Sequence, residues 1–210
     1  MTPNANAPDA TQASALKGRE VFVGVTGGIA AYKTATLVSR LAQAGAGVTV
    51  AMTESATKFI APLTLQALSG RHVYTGVWEH VESQDPQHIS LARRCDLAIV
   101  APATMDCCAK LAHGITEDAV CLILSAIDRR QTPVLIAPSM NEIMWAQPAN
   151  QRNVEQLRAD GYEIVGPAAG WQACRAVGPG RMEEPEALLD AIVARLAPSS
   201  PASPSAAQNR

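Results

Sequence analysis

Five short β-rich runs constrain this chain most. Residues 20–25, 48–52, 97–101, 134–137 and 163–165 are nearly continuously apolar, and most stop at small, hydroxyl-bearing or proline residues. Strands apolar on both sides need cover on both sides, which parallel sheets obtain from crossover helices. The intervening segments have the helical period. Residues 29–44 carry Leu37, Val38 and Leu41 on one side and stop at Gly45, which suits a left-handed cap. Residues 150–160 end at Gly161 in the same way, and residues 185–196 begin behind Glu183 and Glu184. This alternation predicts one α/β domain over residues 18–196, a single doubly wound parallel sheet with helices on both faces.

Other classes are excluded by composition. The chain has 210 residues, enough for one such domain and too few for a second catalytic one. Its 17 Lys and Arg residues are scattered and net charge is -2, so no basic stripe exists to hold nucleic acid. No apolar run approaches the roughly 20 residues of a membrane span, and the N-terminus lacks a signal core, so a cytoplasmic protein is expected. Five cysteines without C-x-x-C spacing argue against a disulfide framework and a metal site. Four of them lie in apolar contexts typical of packed thiols. Residues 1–17 and 197–210, rich in Ala, Pro, Ser, Asn and Gln, read as disordered tails.

In a doubly wound sheet ligands bind beyond the carboxyl ends of the strands, so chemistry is sought in the loops that follow them. After the first strand, Gly27, Gly28 and Ile29 open a helix, an arrangement that admits a phosphate to free N–H groups. A tight strand-to-helix turn without ligand produces the same pattern. The second strand ends in Thr53, Glu54 and Ser55, where a dinucleotide fold places a ribose-binding acid. Hydroxyls there suit a terminal monophosphate, which favours a mononucleotide such as FMN over NAD. In "APATMD", Thr104 and Asp106 are candidate helix caps, and Ala101 and Ala103 are small enough to admit a flat ring. His88 precedes the 97–101 run. "GWQACRAVGPGRMEEPEAL" has no period and reads as a long exposed loop, with Cys174 beside Arg175 and near Arg181. A neighbouring cation lowers a thiol pKa and fits it for proton transfer.

Taken together, these loops resemble the flavin-dependent cysteine decarboxylases of the HFCD flavoprotein family. "PSMNEIMW" matches the family's P-x-M-N-x-x-M-W motif at every fixed position, "APATMD" is similar to P-A-S-A-N-T, and "ACRAVGPGRM" resembles the substrate clamp around a cysteine. His88 falls where the family has its active-site histidine. The resemblance implies a Rossmann-like or flavodoxin-like sheet, bound FMN, and homotrimers or homododecamers with sites at subunit contacts. It also implies chemistry: FMN oxidises a cysteine thiol to a thioaldehyde, the carboxylate leaves as CO2, and the resulting enethiol is reduced again. Carried over by motif position, His88 is the base, Asn141 orients the substrate and Cys174 donates a proton. Gly27, Gly28, Ile29, Thr53, Ser55, Ala103, Thr104, Met105, Asp106 and Met140 would contact FMN. Arg93, Ala173, Arg181 and Met182 would join Asn141 around the substrate.

The branch implied is a stand-alone phosphopantothenoylcysteine decarboxylase. A peptidyl-cysteine decarboxylase, a flavin-binding regulatory subunit and an NAD-dependent oxidoreductase are the alternatives. Two positions depart from the pattern: Met105-Asp106 stands for the family's Ala-Asn, and Arg175 for the glycine after the clamp cysteine.

Overall fold

A computed structural model describes residues 9–78, 86–173 and 175–197. Six parallel strands form the main sheet: β1 (Glu20–Val25), β2 (Gly47–Met52), β3 (Val73–Tyr74), β4 (Leu97–Ala103), β5 (Val134–Pro138) and β6 (Glu163–Ile164). Their spatial order is β3-β2-β1-β4-β5-β6, so the winding reverses between β1 and β4. All six run parallel, as their apolar character predicts, and β3 is a short edge strand that its two residues did not announce.

The helices are α1 (Ala10–Leu16), α2 (Ala31–Gln43), α3 (Pro62–Ser69), α4 (Gln87–Arg94), α5 (Met105–Ala112), α6 (Ala119–Ser125), α7 (Glu142–Ala146), α8 (Pro148–Ala159) and α9 (Pro185–Leu196). Strand alternation divides the core in two. Val21, Val23, Leu97, Ile99 and Leu135 face Leu37 and Leu41 of α2, Leu188 and Ile192 of α9, and Leu16 of α1. Phe22, Ala98, Val100, Val134 and Ile136 face Cys107, Val120 and Leu157 from α5, α6 and α8. Gly24 is glycine because a Cβ there would lie 2.7 Å from Val120 Cγ1. Gly45 and Gly161 both take positive φ, 88° in each case, and end α2 and α8.

Two expectations are corrected. The N-terminal tail ends earlier than its composition suggests, because residues 10–16 form α1. Asp9 caps it, accepting from Gln12 N at 2.8 Å while the Gln12 side chain returns a bond to Asp9 N, and Leu16 is fully buried. The segment read as a long irregular loop is an antiparallel hairpin, β7 (Ala168–Trp171) with β8 (Val177–Arg181). Its glycines and proline hide the period because they sit within the strands themselves. Residues 1–8 and 198–210 lie outside the described residues. Among the described residues no helix is long and apolar enough to cross a membrane.

Candidate active site

The loops after β1 and β4 meet at the point where the winding reverses, the usual ligand crevice of such sheets. Thr26, a residue sequence reasoning passed over, locks them together. Its buried hydroxyl donates to the Pro102 carbonyl at 2.7 Å and accepts from Thr104 N at 3.0 Å. Gly27 then passes so close to the β2 loop that an added Cβ would fall 2.4 Å from Ser55 Cβ. Helix α2 starts directly behind, with Ala30 at its N-cap, no side-chain cap bond and no acid in the first turn. Its first-turn donors therefore lack the side-chain acceptors that most helices carry, which suits an anion.

Two clefts open on this edge and share Gly27, Thr104, Met105 and Met144, forming one groove. The first, about 580 Å³, is lined by Gly28, Ile29, Lys33, Met140, Asn141, Ala173, Arg181 and Met182 among others. The second, about 710 Å³, takes in Thr53, Ser55, Thr75 to Trp78, Asp106 and Lys110. Each is of the size that encloses a cofactor or small substrate. The ends differ in charge. Among the described residues, Lys33 and Arg181 are the charged ones lining the first cleft, whereas Glu54, Asp106, Glu117, Asp118 and Lys110 line the second. Lys110 lies 3.0 Å from Asp106, 2.9 Å from Glu117 and 3.5 Å from Asp118. Burial works against its charge, but the bonds to Glu117 and Asp106 prevail and hold it above the usual lysine range. Asp118 also caps α6, accepting from Cys121 N at 2.9 Å, so helix termini and Lys110 share the neutralisation.

The hairpin docks over the first cleft against the loop after β5. Met140 N donates to the Gly180 carbonyl at 2.9 Å. Gly180, at φ 123°, is packed so closely that a Cβ would meet the Met140 carbonyl oxygen at 2.4 Å. Gln172 is the buried latch: its amide donates to the Pro179 carbonyl at 2.9 Å and its oxygen accepts from Glu142 N at 3.2 Å. Asn141 caps α7 by accepting from Ile143 N at 2.8 Å, which fixes the side chain at the cleft wall.

The groove thus gathers Gly27, Gly28, Ile29, Thr53, Ser55, Thr104, Met105, Asp106, Met140, Asn141, Ala173, Arg181 and Met182. Ala103 lines neither cleft; it is fully buried in β4 and its carbonyl holds Ser139 N at 2.9 Å. His88 and Arg93 line neither cleft and stand on α4. Gln87, next to His88, donates to the Tyr74 hydroxyl at 3.0 Å, which places His88 by the end of β3. Asn141 follows β5, four strands away in the sheet order, or about 19 Å at the usual interstrand spacing. Cys174 lies outside the described residues. Cys95, Cys107, Cys108 and Cys121 are buried, and desolvation pushes the Cys95 and Cys108 thiols up to about 12, so they stay neutral packing groups.

Thr26, Lys33, Lys110 and Gln172 are site residues that sequence reasoning missed. Lys33 left a readable signal, because it stands four residues before Leu37 on the buried face of α2. Gln172 left none, since its role depends on a hairpin that has no period.

Residues 9–197 match the family described as Flavoprotein. The chain is 45% identical over 183 residues to the coenzyme A biosynthesis bifunctional protein CoaBC of Escherichia coli strain K12, covering 87% of this chain and 44% of that protein. It is 47% identical over 174 residues to CoaBC of Bacillus subtilis strain 168, covering 83% and 42%. The chain therefore spans less than half the length of these relatives. Among solved structures, it superposes with a TM-score of 0.76 on a cysteine-to-serine mutant of PPC decarboxylase complexed with pantothenoylaminoethenethiol, at 26% identity over 84% of this chain and 97% of that one. The FMN-dependent cysteine decarboxylase SpaF gives 0.72 at 30% identity, covering 87% and 99%. With nine-tenths of its length matched and these relatives beside it, the chain belongs to the Flavoprotein family.

Proposed function

We propose that this chain is an FMN-dependent decarboxylase that converts 4'-phospho-N-pantothenoylcysteine to 4'-phosphopantetheine and CO2 in coenzyme A biosynthesis, in the cytoplasm. The observation that carries the reading is the single groove across the sheet's reversal point, with a helix N-terminus and hydroxyls along it and Asn141 and Arg181 at one end. The relatives named CoaBC and PPC decarboxylase support the substrate, and the FMN-dependent relative supports the cofactor.

The residues present fit FMN. The Gly27–Ser55 approach leaves backbone and hydroxyls facing the groove, and the uncapped start of α2 suits its phosphate. Met105, Met140, Met144 and Ile29 offer apolar, polarisable walls for a flat ring. When bound, FMN supplies a reversible two-electron acceptor for the substrate's thiol-bearing carbon. The chain's own residues hold and position. Asn141, fixed as the α7 cap, orients the substrate's carboxylate and amide; Arg181 adds positive charge; the docked hairpin excludes water. By motif position, Cys174 delivers the proton that completes the product and His88 acts as base.

His88 stands by β3 and Asn141 beyond β5, so both serve one reaction when His88 reaches the groove of a second copy. This supports the homotrimer, or a dodecamer built from it. Exposed Tyr32, Phe59, Leu63 and Trp78 supply apolar surface for a contact between copies.

Incubating the purified, yellow protein with the pantothenoyl substrate and following loss of CO2 by mass spectrometry tests the reading. Absence of turnover, with turnover of a peptide ending in cysteine, transfers the assignment to the peptidyl-cysteine branch.

A further inference from the structure

We infer that Glu184 is a positioning residue, which sets the guanidinium of Arg181 against an anionic group of the substrate by tying it to the buried ammonium of Lys33. The inference deepens the decarboxylase reading and rests on it for the identity of the substrate.

Lys33 lies in the first turn of α2, only 6% exposed, where an ammonium is tolerated only with partners. Its Nζ donates to the Met182 carbonyl at 3.2 Å and to Glu184 Oε1 at 3.0 Å. The same oxygen accepts from Arg181 Nη2. One carboxylate oxygen therefore joins a helix of the main fold to the last residue of the hairpin. Lys33 and Arg181 line the first cleft, while Glu184 stands behind them and is not part of its wall. Across the hairpin, Arg181 Nη1 runs beside Gly170, where an added Cβ would come within 3.2 Å of it. Held at Nη2, the fork keeps its remaining donors for a ligand.

A second observation separates this role from simple helix capping. Glu184 occupies the N-cap of α9, yet its side chain makes no cap bond there. The carboxylate turns instead to the two cations, and Lys33 first, then Arg181, hold its pKa below the usual value. Two cations and one carboxylate leave the cleft one net positive charge, and no acid is among the described residues lining it. That balance suits one anionic group without the rigid overbinding that two unshielded cations would cause. A cysteine carboxylate and a terminal phosphate are the two sources of such a group on the substrate.

The test is a double-mutant cycle on the FMN-loaded enzyme. Glu184→Gln should raise KM about tenfold with kcat within about twofold, and Arg181→Gln should do the same or more. In the double variant the Glu184 change should add nothing, because its effect passes through Arg181. Equal KM rises with 4'-phosphopantothenoylcysteine and its dephosphorylated form assign the anion to the carboxylate; a rise confined to the phosphorylated form assigns it to the phosphate. Additive losses in the double variant, or a fall in kcat at unchanged KM, overturn the inference. If Glu184→Gln fails to retain flavin, Glu184→Asp, which keeps the charge one methylene short, takes its place in the cycle. Should the wild type turn over neither compound, the decarboxylase reading fails separately. The cycle is then read on binding of N-acetylcysteine, followed through the flavin absorbance band: weakening by either single change that the double variant does not exceed supports the inference for the carboxylate, and additive weakening or none overturns it.

Discussion

The main sheet and the β7–β8 hairpin are both β-structure, but they are held by different forces. Ile99 in β4 is fully buried among Leu, Val and Met side chains from both directions of the chain. The hairpin strands are half-buried or exposed except at Gly180, with Trp171 and Val177 exposed, and two strands alone are marginal in water. Its position rests on a few directional contacts: Met140 to Gly180, the Gln172 latch, and the Lys33–Glu184–Arg181 relay. A rigid sheet carries the groove, and a separately attached ribbon closes one end of it. Such a division would let the ribbon open without disturbing the scaffold.

The comparison breaks most visibly in the sheet. Ile99→Ala should destabilise the whole domain by about 2–5 kcal/mol, through lost burial and the cavity left behind. Urea unfolding followed by circular dichroism measures it. A loss under about 1 kcal/mol would show that β4 is not the centre of cooperativity.

Gly180→Ala attacks the hairpin instead. The new Cβ meets a backbone oxygen and the φ of 123° disfavours any side chain, so the local cost is about 1–3 kcal/mol. Hairpin amides should exchange roughly tenfold faster or more, while β1 and β4 amides keep their protection. Equal loss in both regions would contradict the separation of ribbon and scaffold.

This contrast also explains what could be read before the structure. The sheet was legible because burial on both faces imposes continuous apolar runs, and Gly45 and Gly161 mark helix ends by a conformation few residues share. The hairpin was not, because Gly170, Gly178, Pro179 and Gly180 replace the alternating side chains by which a strand is recognised. Most expected site residues line the groove, since loops at strand ends are fixed by topology. The separation of His88 from Asn141 follows from the spatial order of strands, which no local pattern encodes. Thr26 was hidden for the opposite reason: its two bonds run to Pro102 and Thr104, more than seventy residues away.

Acid should sharpen the comparison more gently. The Glu184 carboxyl is held below its ordinary value of 4.5 by Lys33 and then Arg181. A depressed pKa contributes stability that is present above the ordinary value and is lost as pH falls through the folded one. Below about pH 4.5 the relay should weaken, and because Glu184 is largely exposed the effect is small, about two- to fivefold in hairpin amide exchange. The Glu142 carboxylate also faces the hairpin, at Gly178, so the control is Glu184→Gln, whose hairpin should lose most of this added pH dependence. A variant as acid-sensitive as the wild type would remove Glu184 from the attachment.

The smallest effect is expected at Asp106, where the family pattern has asparagine. Its side chain is 70% exposed and pairs with Lys110 one turn on, an arrangement worth about 0.3–0.5 kcal/mol. Lys110 keeps Glu117 and Asp118 when Asp106 is replaced, so no buried charge is stranded. Asp106→Asn should therefore leave both sheet and hairpin stability within about 0.5 kcal/mol and act only on the second cleft, by removing one negative charge from its wall. The readout is FMN affinity: with a dianionic phosphate entering an acidic groove, the variant should bind FMN more tightly, by about two- to threefold at low salt, and the gain should shrink as salt is raised. Weaker binding in the variant would mean that the Asp106 carboxylate accepts a hydrogen bond from the flavin, and that the acidic end of the groove is a recognition surface in its own right.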